Sequence, residues 1–104
     1  MAEQIRVVTG KLREAAAHHR ETAEYLASIP LSHPDIQASL DSLGPIYSGL
    51  AEAGRELLEE RRSCYESQAA GHADMADGLT VAAETWEQHE QDGAAAFRAV
   101  ADEH

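Results

Sequence analysis

Cysteine is nearly missing: Cys64 is alone among 104 residues. A single thiol excludes an internal disulfide and a cysteine-based zinc site. Proline occurs three times, at Pro30, Pro34 and Pro45, and nowhere after that. Aromatic residues make up 5% of the chain, so any core is built mostly from smaller side chains. Lys and Arg number 8 against 19 Asp and Glu, a net charge of -11. That balance argues against nucleic acid, because phosphate binding draws on clustered Lys and Arg. It argues equally against an anionic membrane surface. No run of about 18 apolar residues exists, so no segment reads as a membrane span. Residues Met1 to Gly10 lack the basic start and apolar stretch of a secretory signal. By these rules the chain is made in the cytoplasm, and any export must read a folded or C-terminal feature.

What is present is alanine and good helix formers. Hydrophobic content is 43%, much of it Ala. Ala, Leu, Glu, Gln and Arg favour helix, and β-branched residues are few. The fold class is all-α. At this length the chain forms one domain, with a thin core that needs close helix packing.

Residues 1–8 read as a short lead and Thr9 as an N-cap. Leu12, Ala16, His19, Ala23 and Leu26 then follow at spacings of four, three, four and three, one apolar stripe on a helix over about 10–28. Pro30 ends it, and residues 29–44 form a connector holding a short helix over Asp35 to Leu43. Gly44-Pro45 opens a new helix, since proline is well tolerated at a first helical position. The long helix runs over about 45–101. Leu50, Leu57 and Cys64 are seven apart in it, as are Leu58, Tyr65, His72, Leu79, Trp86, Gly93 and Val100. Such a repeat favours helices lying side by side at a shallow angle. A helix of that span is about 85 Å long, against about 30 Å for the first. Either it breaks near Ala69 to Gly78, giving a three-helix bundle, or a second chain covers the overhang. Leu12, Leu26, Leu50, Leu57, Leu79 and Phe97 are the expected hairpin and partner packing positions.

Trp86 and Glu90 stand one helical turn apart, so a flat hydrophobic plate and a carboxylate share one face. They belong to one of three features that resemble a known family. Ile5-x-Val7, Leu12 and His18-His19 look like its opening helix. Ser32-His33 and Gly44-Pro45 resemble, in split form, its Thr-His-Gly-Pro-like turn. Leu79-x-Val81-Ala82-Ala83-x-x-Trp86-x-x-x-Glu90 resembles its Leu-x-x-Ala-Ala-x-x-Tyr-x-x-x-Asp segment. The family is that of the small EspC-like proteins of ESX type VII secretion in mycobacteria and their relatives, and the resemblance covers nearly the whole chain. It implies a helical hairpin carrying an aromatic-x-x-x-acid export signal, with Trp86 in the aromatic position and Glu90 in the acidic one. Trp for Tyr keeps the plate and loses the hydroxyl.

The implied function is a non-enzymatic secreted substrate or accessory of type VII secretion. Its partner would be a secretion component or another helical protein, its state homo- or hetero-oligomeric, and its destination outside the cell or in the envelope. Trp86 also falls in the seven-residue series and reads equally as core. The first rival is an intracellular helical pairing or chaperone-like module for a larger exported protein. The second, an enzyme or metal-binding regulator, rests on the six histidines alone. None of them forms a His-x-x-x-His pair, and no cofactor is expected. Cys64 beside Arg61 and Arg62 has no partner base in the sequence and reads as a small buried residue.

Overall fold

The computed structural model describes residues 2–102, and all its regular elements are helical. Helix α1 is Ala2–Ser28, followed by a 3-10 turn at Ile29–Ser32. Helix α2 is His33–Asp41, a second 3-10 turn is Pro45–Tyr47, and helix α3 is Ser48–Asp102. The all-α expectation holds, with two long helices.

Two boundaries differ from those read in the sequence, and the choice left open for the long helix is decided. The lead is not a lead: α1 begins at Ala2, eight residues early. Thr9 is therefore inside a helix, where its hydroxyl donates to the Arg6 carbonyl at 3.1 Å instead of capping. Nothing in residues 2–9 breaks a helix, and Gly10 is tolerated at about 1 kcal/mol. The connector is mostly helical, because Pro30 and Pro34 each fall in a first turn, where a missing N–H costs nothing. Finally, α3 is unbroken through Ala69 to Gly78. Gly71 and Gly78 soften it without ending it.

Among the described residues, one has a backbone that requires glycine. Gly44 has φ 94°, a region costly for any side chain. The Leu43 amide reaches back to the Leu40 carbonyl at 3.2 Å, and the Tyr47 amide to the Gly44 carbonyl at 3.1 Å. These bonds end α2 and start the turn into α3.

The chain divides into two compact units. Unit 1 joins residues 2–20 of α1 to residues 74–102 of α3, and unit 2 is Glu21–Ala73. In unit 1 the helices run antiparallel. Arg13 donates to both carboxylate oxygens of Glu87 at 3.0 and 2.9 Å, and Arg20 to the Thr80 hydroxyl at 3.0 Å. The buried residues there are Thr9, Ala16, Ala76 and Ala83. Alanine at the seam lets two helices approach at the short end of the usual 8–10 Å.

In unit 2, α2 lies on the start of α3. Gln37 donates to the Ala51 carbonyl at 3.0 Å and to Asp41 at 2.9 Å, and Asp41 also accepts from Arg55 at 3.3 Å. Leu40 packs directly over Gly54, where a β-carbon would collide with its Cδ1. His33 is buried at the first turn of α2.

The expected packing positions split. Leu12, Leu26 and Leu79 are half-buried. Leu50, Leu57 and Phe97 are exposed and do not hold the hairpin. In unit 1 the seam of α3 runs through Ala76, Ala83 and Glu90, buried or half-buried and also seven residues apart, in a different phase from the Leu79–Trp86 series. Trp86, three residues past Ala83, is turned about 60° off that line.

Candidate functional site

The region of interest is the last third of α3 in unit 1. Three positions there divide the labour. Ala83 faces α1 and is fully buried. Glu87, four residues on, is turned to one side of the seam and takes the Arg13 guanidinium. Trp86 is turned to the other side, 51% exposed. No aromatic neighbour or hydrogen bond holds its indole among the described residues.

Glu90 continues the seam at the point where α1 offers Thr9. It is half-buried, not displayed openly beside Trp86. Glu90 lines an open cleft of about 470 Å³ with Arg6, Thr9, Glu87, Gln91, Ala94 and Arg98. Two arginines and two glutamates thus line the cleft. The sequence placed Trp86 and Glu90 on one face. The structure keeps them one turn apart and gives them different surroundings, plate outside and acid at the seam.

The remaining chemistry-bearing residues are dispersed. Cys64 is exposed, which corrects its reading as a buried residue. It lies on the outward side of α3, with the Gln68 amide 3.5 Å from Sγ. Arg61 stacks over Tyr65 with 5.1 Å between Cζ and the ring centre. Arg62 pairs with Glu59 and, at 2.7 Å, with Glu66 along the helix. The Arg62 hydrogen bond holds Glu59 below the usual carboxylate range. Among the described residues no three His, Cys, Asp or Glu converge as metal ligands, and no helix is long and apolar enough to cross a membrane.

Sequence reasoning missed His33 as a buried group. It is 7% exposed, and neither ring nitrogen has a protein partner. Its one advance signal was position: a histidine between two first-turn prolines, one turn before Gln37, faces whatever α2 packs against.

Residues 1–99 match the family described as excreted virulence factor EspC of the type VII ESX system of diderms. The chain belongs to the EspC family. Two relatives support the placement, uncharacterised proteins of Mycobacterium tuberculosis and Mycobacterium bovis. Each is 55% identical over 91 residues, covering 88% of this chain and 87% of the relative. No solved structure matches. The matched span runs from α1 to near the end of α3.

Proposed function

We propose that this EspC-family chain is a non-enzymatic substrate of type VII secretion, recognised through Trp86 and Glu90 late in α3. The observation that carries the reading is the half-exposed indole one turn ahead of an acid, on a stretch of helix where the intramolecular core is only alanine. Docking on a secretion component buries the plate, and burying an exposed aromatic side chain is worth about 1.5–3 kcal/mol. Glu90, at the lip of the cleft, orients the docked helix through a charge-assisted hydrogen bond. Family membership supports the choice of system.

The test is fractionation of a host that has, or lacks, a working ESX system. Export that depends on the system and is lost in Trp86→Ala and in Glu90→Ala supports the reading. Export unchanged in both variants, with the helical fold retained, overturns the signal assignment. Retention in the cytoplasm in both hosts favours a helical pairing module for a larger exported protein.

A further inference from the structure

Three arginines on α1 recur every seven residues: Arg6, Arg13 and Arg20. In an antiparallel pair, a step of seven back along one helix meets a step of seven forward along the other. Arg20 donates to the Thr80 hydroxyl at 3.0 Å and lies 3.9 Å from the Asp77 carboxylate. One step on, Arg13 holds both carboxylate oxygens of Glu87. The next step brings Arg6 to position 94, and position 94 is alanine. Arg6 and Ala94 do line one cleft, the opening of about 470 Å³ that also takes in Glu90, Gln91 and Arg98. The ladder of rungs between the helices therefore has a third rung that carries its guanidinium and lacks its acceptor.

A second guanidinium faces the same gap. Arg98, one turn past Ala94, donates through Nε to the Ala94 carbonyl at 3.4 Å. That bond lays its side chain back along α3 and leaves its terminal nitrogens without an acceptor among the described residues. The Arg6 guanidinium has no hydrogen-bond or ion-pair partner among them either. Of the two acids in the cleft, Glu87 is already taken by Arg13, and Glu90 pairs with neither arginine. The chain holds 19 Asp and Glu against 8 Lys and Arg. Each cation has more than two acids to draw on, yet these two stand unpaired in one cleft.

We propose that this cleft receives a carboxylate from a partner protein, an acidic side chain on a segment laid across the start of α1 and the end of α3. The carboxylate takes the place that a glutamate at position 94 would fill, between Arg6 and Arg98. Arg13 on Glu87 gives the geometry one rung earlier, a guanidinium fork holding both oxygens of one carboxylate. Glu90 and Gln91 add acceptors for N–H groups of the same segment. The two glutamates also select against phosphate, because a doubly charged group is repelled more strongly there than a singly charged carboxylate. Arg6 and Arg98 are exposed, so the contact adds little affinity by itself. Its effect is to fix the register of a docked segment and to exclude basic ones. The inference stands apart from the export reading, in which neither arginine has a part.

Nuclear magnetic resonance of the nitrogen-15-labelled full chain tests it, read at the arginine Nε–H signals, with an end-blocked hexaglutamate peptide as the probe. The expected result is saturable movement of the Arg6 and Arg98 signals, with a dissociation constant of about 1 mM at low salt. Arg6→Gln, followed at Arg98, is expected to weaken binding about tenfold. Ala94→Glu supplies the missing acceptor from within the chain. It should displace the Arg6 signal before any peptide is added and weaken peptide binding by a similar factor. Both positions are exposed, so helical circular dichroism is retained. Ala96→Glu adds the same charge on the other side of α3 and leaves binding unchanged. No movement of either signal at about 10 mM peptide, or full binding in Ala94→Glu, overturns the proposal. Displacement of the peptide by an equal concentration of inorganic phosphate overturns the carboxylate assignment. Trp86→Ala separates the two readings: it abolishes export if the signal assignment holds, and it leaves peptide binding intact.

Discussion

Replacing Ala83 by Leu tests the alanine seam directly. Ala83 and Ala76 are 0% exposed and Ala16, on the facing helix, is 1% exposed. Three added carbons would contribute about 0.8 kcal/mol each if they found empty space. They do not find it, because the facing residue is itself a buried alanine in close approach. The helices must separate toward the upper end of the 8–10 Å range. Overpacking of this kind costs about 1–3 kcal/mol. Separation also lengthens the Arg13–Glu87 pair, now 2.9 Å, though an exposed pair adds at most about 1 kcal/mol. For a domain this size each kcal/mol moves the thermal midpoint by about 4–8 °C, so the expected loss is about 5–20 °C. The control is Ala96→Leu at an exposed position, expected to stay within about 0.5 kcal/mol of wild type. Thermal melts followed by circular dichroism give both values. A midpoint for Ala83→Leu equal to or above wild type would refute the tight seam and the register that depends on it.

Glycine replacements on α3 give a graded series. Gly71→Ala and Gly78→Ala meet open space and should each stabilise by about 1 kcal/mol in urea titration, whereas Gly54→Ala must displace Leu40 and should gain clearly less or lose. Gly44→Ala forces a side chain into φ 94° and should destabilise by about 1–3 kcal/mol in the same assay. Glu59 has a carboxyl held below its reference value of 4.5 by the Arg62 hydrogen bond. A depressed folded-state value stabilises above the unfolded value and loses that contribution as pH falls through the folded one. The gap in thermal midpoint between wild type and Glu59→Gln should therefore be present above pH 4.5 and close as the pH drops beneath it.

The sequence carried the helices and the family. Alanine, leucine and glutamate in long stretches without proline leave the backbone one low-energy course, and proline and glycine mark where it turns. Pro30, Pro34 and Gly44-Pro45 are all at breaks between elements. The order and spacing of the Leu79-to-Glu90 segment pointed to the EspC family, to which the chain belongs. The early start of α1 was not legible, because an apolar lead of Ile5, Val7 and Val8 suits a strand or loop as well as a helix. The helical extent of the connector was hidden for the opposite reason: proline ends a helix from inside and starts one from outside, and position decides which.

Which side chains face inward was settled only by tertiary structure. Leu79, Trp86, Gly93 and Val100 recur every seven residues, and so do Ala69, Ala76 and Ala83. On one helix both series drift together, so the repeat does not say which of them faces the neighbouring helix. Periodicity fixes that a face exists. It does not fix its phase, which is set by the partner helix: Arg13 on Glu87 and Arg20 on Thr80 clamp the pair with alanines between them. The same clamp turns Trp86 outward and Glu90 to the seam. Sequence alone determined that this chain is helical and what it is related to, because those follow from local propensity and residue order. Tertiary packing decided which residues remain exposed for a partner, because that depends on a rotation that no local interaction controls.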